Sequence, residues 1–395
     1  MIHVVRVGVY ADAVYRQDDG GISVGQSFVS WVAGLASHVE SLTLFGRFDP
    51  VPGRGPHPVP EVVPVVPLPF YAGLGDVGAV ARAIPVSRKR FAEHLTSMDI
   101  CVLFGPHPLG LVFARQARRA GIPVVVGVRQ DFPAYIRARV RRPSLYVAYP
   151  VAVGLEQLQR RVALGGGALV IGEEAAHAYR HASHRLVTGV SLVTDAEIVS
   201  DEAVLRPWPR VRTMLSVTRL DPEKNPLLLV DVLVLLRRQE EWQLVVAGAG
   251  PLRRAMEERA REHGVLEYVH LVGDIDRSTL RDLYLSASVF LHVSWTEGLP
   301  QVLYEAAAAG TPIVATAVGS VAHALGNGRR GELVPPGDAA AAAEAIRRLE
   351  DGARRQRNVL AALSWAREDT ADRQAQRVAM FLSEVCEAHT ASATD

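Results

Sequence analysis

Short apolar, β-branched runs alternate with Ala-, Leu- and Arg-rich segments along most of the chain. Runs at 4–10, 41–45, 62–66, 100–104, 123–128 and 168–171 read as strands in the first half. Those at 213–217, 243–247, 269–272, 289–293 and 312–315 read as strands in the second. Segments 23–36, 110–120, 225–238, 251–262, 277–285, 300–309 and 339–349 read as intervening helices. Strands alternating with helices make βαβ units, so the pattern predicts an α/β fold of parallel sheets covered on both faces. It restarts near 213, after the turn-rich stretch "EIVSDEAVLRPWPRVRT", which puts the domain change within 186–212. Two Rossmann-like halves facing each other over a cleft are the simplest architecture: a first domain over 1–190 and a second over 191–368. A last helix, at about 369–389, opens the segment 369–395, expected to cross back to the first domain and to end in a frayed tail, "TASATD". The Pro-rich stretch 50–69 reads as a loop with an edge strand.

A length of 395 residues exceeds what one compact core holds, which agrees with two domains. Hydrophobic residues at 49% and charged residues at 22% are ordinary for a soluble globular chain. A net charge of +1 argues against a general nucleic-acid or acidic-membrane binder. Cys101 and Cys386 lie far apart with no metal-ligand spacing near either, and read as neutral thiols of a reducing compartment. The first residues lack the regions of a signal peptide, and no run of about 18 apolar residues suggests a membrane span. The cytoplasm is the default location. Arginine is used almost throughout, Lys89 and Lys224 being the only lysines.

In parallel α/β sheets, ligands sit at the carboxyl ends of strands, where loops run into helices. "SWTEGLPQVLYEAAAAGTPIVATAVGS", residues 294–320, has that layout, with Pro300 expected at the first helical position. The amides of Gln301, Val302 and Leu303 would then face an anion, most simply a phosphate. Glu305, one turn on, suits a vicinal diol such as ribose, and Glu297 in the loop faces what the phosphates carry. Two acids beside a phosphate need cations, and "SVTRLDPEKNP" supplies Arg219 as a planar fork and Lys224 as a point charge. Gly248 and Gly250 in "VVAGAGPLRR" allow close backbone approach, and Gly273, Asp274 and Ile275 follow another strand where a base would lie. Singly, each signal also reads as a solvated face or a tight turn. Their order, each at a strand's carboxyl end within one domain, singles them out.

Together these stretches, with "NGRRGELVPPGD", resemble the retaining glycosyltransferases of family 4 over nearly the whole second half. The resemblance implies the GT-B fold, two Rossmann-like domains facing across a central cleft. It implies transfer, with retention and without a metal, of a sugar from a nucleotide diphosphate sugar (UDP- or GDP-linked) to a natural-product-like small molecule or a glycan. Arg219 and Lys224 would hold the diphosphate, Glu305 the ribose, and Glu297 with the backbone of Gly298, Leu299 and Pro300 the donor sugar. In the first half, the resemblance puts the amides of Gly20 and Gly21, between a strand and a helix, near the second phosphate, and His107 in the cleft as a catalytic candidate. Arg129, with Asp131 on the sugar or acceptor side, stands where the family has a histidine near the sugar. Ser320 and His323 replace its usual Gly and Glu. The cluster Arg137, Arg139, Arg141 and Arg142 reads as a solvated face, with contact to an acidic acceptor or a lipid headgroup left open.

No cofactor is implied beyond the co-substrate donor. A non-catalytic nucleotide-sugar-binding protein or auxiliary subunit is the alternative. A dinucleotide oxidoreductase would need a Gly-x-Gly-x-x-Gly loop after the first strand, which "VYADAVYRQDDGG" lacks. A phosphorylase of the same architecture would need a lysine Schiff base.

Overall fold

The computed structural model describes residues 5–139, 148–202 and 208–394. The chain divides into two compact units, Met1–Val190 with Ala371–Asp395, and Ser191–Thr370.

The first unit is built on nine strands: β1 (Arg6–Asp18), β2 (Gly21–Val24), β3 (Ser41–Phe48), β4 (His57–Pro58), β5 (Val65–Leu68), β6 (Ile100–Gly105), β7 (Val124–Val128), β8 (Gly167–Ile171) and β9 (His184–Thr188). The parallel part runs β5-β3-β1-β6-β7-β8-β9. Strand order reverses between β1 and β6, the switch point at which open α/β sheets bind ligands. All of β7 and β8 is buried, as central parallel strands require, so both stand out in the sequence as apolar runs. Edge strand β9, half-exposed and carrying His184 and Arg185, does not. Tyr10, Phe45, Phe91 and Phe113 pack ring to ring in the core beneath the sheet, with centroids 5.1–6.1 Å apart. Each such side chain contributes about 1.5–3 kcal/mol by leaving water.

Three local expectations change. The helix expected over 23–36 is confined to Ser27–Ala33, because Gly21–Val24 turns back along β1 as an antiparallel strand. A helix absent from the sequence reading, Val77–Leu95, is capped by Asp76, which accepts a hydrogen bond from the Ala79 amide. Pro150 falls in the first turn of helix Ala148–Leu164, where a missing N–H costs nothing. Helix Ala371–Thr394 belongs to this unit, Trp31 Nε1 donating to Gln374 Oε1 at 2.8 Å, and it runs through the stretch expected to fray. Its Cys386 donates to the Asp99 carbonyl, and burial pushes that thiol up to about 12. Of the arginine cluster, Arg141, Arg142 and the Arg139 side chain lie outside the described residues. Arg137 bonds the Tyr149 hydroxyl at 2.5 Å.

The second unit has six parallel strands, β10 (Arg212–Val217), β11 (Trp242–Ala247), β12 (Val269–Gly273), β13 (Val289–His292), β14 (Ile313–Thr316) and β15 (Glu332–Val334). Their order is β12-β11-β10-β13-β14-β15, the doubly wound arrangement with its switch point between β10 and β13. β15 escapes sequence reading because it begins with a buried acid. Glu332 is held by Arg348, Arg354 and Asn358, which project from helices Ala339–Arg348 and Gly352–Glu368. Among the described residues no helix is long and apolar enough to cross a membrane.

Candidate functional site

The loops after β10 and β13 meet at the switch point of the second unit. The Trp295 amide donates to the Glu223 carbonyl at 2.9 Å and locks one loop to the other. Lys224 closes the turn Pro222–Lys224, and its Nζ lies 2.6 Å from Glu297 Oε1. Two further donors reach that same oxygen, His292 Nε2 at 2.9 Å and Ser294 Oγ at 2.6 Å. Burial alone would raise the Glu297 pKa. The His292 hydrogen bond and the Lys224 charge outweigh it and hold the group down at about 2. Glu297 is therefore a fixed carboxylate with its partners gathered on one oxygen. Sequence reasoning found Lys224 and Glu297 but missed His292 and Ser294, although both lie at the end of the same strand run.

Arg219 pairs with its own neighbours, Asp221 and, at 3.1 Å, Glu223. Its side chain remains 57% exposed, so the guanidinium stands at the edge of this loop rather than in the Glu297 contact. The glycines of the adjacent loops are required by packing. A Cβ on Gly248 (φ +128°) would lie 2.1 Å from the Thr218 carbonyl oxygen, and one on Gly250 2.7 Å from the Leu220 backbone. Gly248 also donates to the Gly273 carbonyl at 2.7 Å, so the loops after β10, β11 and β12 touch backbone to backbone. Beyond Gly273 (φ +73°), Asp274 is exposed and Ile275 half-buried. Asp276 then caps helix Arg277–Ser286 by accepting from the Thr279 amide.

Helix Gln301–Ala308 starts one residue later than expected. Pro300 is its extended N-cap (ψ 129°) rather than its first helical residue, and the Leu303 amide is spent on the Pro300 carbonyl at 3.3 Å. The anion-facing backbone at this helix start is therefore narrower than the three amides expected. Gly298 is fixed from outside by the Ser320 amide at 3.0 Å. Glu305, in the second turn, borders an open hollow of about 370 Å³ with Val193, Glu197, Arg277, Leu280 and Tyr284. The Tyr284 hydroxyl donates to Glu305 Oε2 at 2.9 Å, and Arg277 forms a two-pronged pair with Glu197 at 2.8 and 2.9 Å. None of Glu197, Arg277 and Tyr284 was legible as a site residue.

Burial raises the Glu305 pKa despite the opposing Tyr284 hydrogen bond and Arg277 charge. The folded chain thus holds a proton here more tightly than the unfolded one. Stability falls as pH rises from the model value of 4.5 through the raised folded value. Glu305→Gln is expected to raise the melting temperature at neutral pH. If the acid holds a ribose diol, nucleotide binding weakens by about tenfold or more, the worth of a charged hydrogen bond. Thermal melts with and without nucleotide measure both, and a lower melting temperature without nucleotide refutes the first.

In the first unit, Gly20 and Gly21 do not lead into a helix. Asp18 pairs with Gly21 across the β1–β2 hairpin, leaving Asp19 and Gly20 as the exposed turn. His107 caps helix Pro108–Arg119 and is only 3% exposed. Its Nδ1 lies 2.9 Å from the Tyr10 hydroxyl and 3.2 Å from the Leu109 amide, and its Nε2 3.2 Å from the Tyr71 hydroxyl. Both ring nitrogens are engaged, which makes it a positioning residue rather than an acid or base at a surface. The Arg129 guanidinium covers the Phe28 ring at 4.4 Å, and Asp131 accepts from the Ala134 amide at the start of helix Phe132–Arg139. Lys89 stands on an exposed helix face, 3.9 Å from Glu93.

Residues 205–362 match the family described as glycosyl transferases group 1. A segment of 162 residues is 36% identical to a glycogen synthase of Mycobacterium tuberculosis, covering 40% of this chain and 39% of that protein. The chain thus matches about two fifths of that relative's length. A longer segment, 257 residues, is 29% identical to a GDP-mannose-dependent alpha-mannosyltransferase of the same organism, covering 65% of each. Among solved structures, HepE of Anabaena, crystallised with UDP and glucose, superposes with a TM-score of 0.67 at 15% identity, covering 98% of this chain and 99% of that one. The fold is GT-B.

Proposed function

We propose that this GT-B chain is a retaining glycosyltransferase of the family-4 type, which moves a sugar from a nucleotide diphosphate sugar to a small-molecule or glycan acceptor. The observation that carries the reading is the Lys224–Glu297 contact at the switch point of the doubly wound second unit. There a cation and an oriented carboxylate stand side by side where a diphosphate and its sugar would meet.

In this reading Lys224 and Arg219 face the diphosphate, with the backbone at Gln301 and Val302, while the loops carrying Gly248 and Gly250 back it. Glu305 takes the ribose, and Gly273, Asp274 and Ile275 border the base. Glu297 Oε2, left clear by the three donors on Oε1, accepts from sugar hydroxyls, flanked by Gly298, Leu299 and Pro300. As the bond from the anomeric carbon to the phosphate oxygen breaks, its electron pair goes to the phosphate. Lys224 and Arg219 stabilise that growing charge more than the ground state. The acceptor hydroxyl attacks the same face, and its proton passes to the departing phosphate oxygen. Because the protein supplies these cations, turnover is expected to be unchanged by a chelator, measured as nucleotide released with and without it.

A thermal-shift panel of UDP-, GDP-, ADP- and TDP-sugars tests the reading. One base is expected to raise the melting temperature, ligand at a hundred times its Kd stabilising by about 2.7 kcal/mol. No shift with any of them refutes it. Arg129, stacked on Phe28 where the family has histidine, favours one competitor, a nucleotide-sugar binder without turnover. Donor hydrolysis by the isolated chain separates the two.

A further inference from the structure

The switch point of the first unit carries a second built constellation, at Asp12. Tyr10 pairs with Phe45 and Val14 with Arg47, so Ala11, Asp12 and Ala13 bulge from β1 opposite the single residue Gly46. Pairing with β6 ends at Ala11. Asp12 therefore stands just past the end of the ladder, where a bulge re-aims a side chain. Behind it lies Arg47, only 6% exposed, with Nε 2.9 Å from Asp12 Oδ1. The Tyr71 hydroxyl donates to that same oxygen at 3.3 Å, and His107 Nε2 is 3.6 Å away.

The histidine tautomer follows from its other side. The Leu109 amide can only donate, so Nδ1 carries a lone pair and the ring proton sits on Nε2, toward Asp12 and Tyr71. Every contact recorded for Asp12 thus falls on Oδ1; Oδ2 has none among the described residues, and the side chain is 32% exposed. Carboxylate and guanidinium cancel, and His107 is neutral, its buried ring disfavouring a second proton. An ionised acceptor oxygen inside a locally neutral frame suits a neutral hydroxyl better than an ammonium or a phosphate.

We propose that Asp12 is a hydroxyl-anchoring residue for a neutral polyhydroxylated acceptor, a sugar or cyclitol, whose hydroxyl donates to Oδ2 while Arg47, Tyr71 and His107 hold Oδ1. The acceptor role rests on the glycosyl-transfer reading above; the hydroxyl site stands by itself. It shifts the chemistry of this unit from His107, the residue the sequence singles out, to the carboxylate that His107 orients.

The test uses the full chain, with free myo-inositol as the probe, in saturation-transfer NMR. Nucleotide-sugar thermal shifts on the same samples report whether the fold is intact. Wild type is expected to saturate the myo-inositol ring protons. Asp12→Asn, which keeps one carbonyl acceptor, gives a signal roughly tenfold weaker, and Asp12→Leu none. If Asp12→Leu unfolds for want of a partner to Arg47, the Asn variant decides alone. No signal with wild type, or equal signals with wild type and Asp12→Asn, overturns the site. Inositol binding through Asp12 without a thermal shift from any nucleotide sugar keeps the hydroxyl site and removes the glycosyl-transfer reading instead.

Discussion

Lys224→Ala is expected to lower turnover by about 10²–10³, the usual cost of removing one group that stabilises transition-state charge. Lys224→Arg is not expected to restore it, because a planar fork cannot replace a compact ammonium 2.6 Å from Glu297. The variant carries a second, separable signature. Glu297 has its pKa held at about 2, so it contributes stability that is present above 4.5 and lost as pH falls toward that depressed value. Without the Lys224 charge, burial regains weight and the loss begins at higher pH. The double variant Lys224→Ala, Glu297→Gln should recover the acid stability and none of the activity. Steady-state rates with the donor found by thermal shift, beside melts from pH 3 to 8, measure both. Wild-type turnover in Lys224→Ala would remove the proposed mechanism.

The second large effect is structural. Gly248→Ala puts a methyl group 2.1 Å from the Thr218 carbonyl oxygen, at a backbone φ of +128°. Neither neighbour is a flexible side chain. The loop after β11 must move off the loop after β10 and break the 2.7 Å bond from Gly248 to Gly273. We expect a loss of roughly 3 kcal/mol or more, strain and the broken contact together. Gly264→Ala is the control. It also has a positive φ, +67°, but nothing lies within 4 Å of its added carbon, so only the conformational cost of about 1 kcal/mol applies. Denaturant melts of the pair separate crowding from backbone strain; equal losses would mean that loop contact contributes nothing.

Legibility followed burial. Strands covered on both faces, such as Val124–Val128, announce themselves as apolar runs whatever their neighbours. β9 and β15 do not. One lies at an edge, and the other hides a carboxylate whose three partners sit 16 to 26 residues away. The same contrast holds at the site. Lys224 and Glu297 were readable because strand ends and helix starts are local features, and their loops meet at a switch point that strand order dictates. Convergence of His292 and Ser294 on a single oxygen depends on side-chain direction, which no spacing encodes. Gly20 and Gly21 were misplaced for another reason. Asp19-Gly20 between two strands is a strong hairpin signal. The resemblance drew attention to the glycines as phosphate contacts, and the turn chemistry went unread.

Helix Ala371–Thr394 packs with the first unit although the whole second unit intervenes in sequence. During synthesis, Ser191–Thr370 emerges with all its strands and can fold as soon as it clears the ribosome. The earlier-made half must wait, its Trp31 unpartnered, until Gln374 arrives. The later-made lobe therefore finishes first, and a ribosome stalled before Ala371 would hold an acceptor-side lobe that has been translated but cannot close.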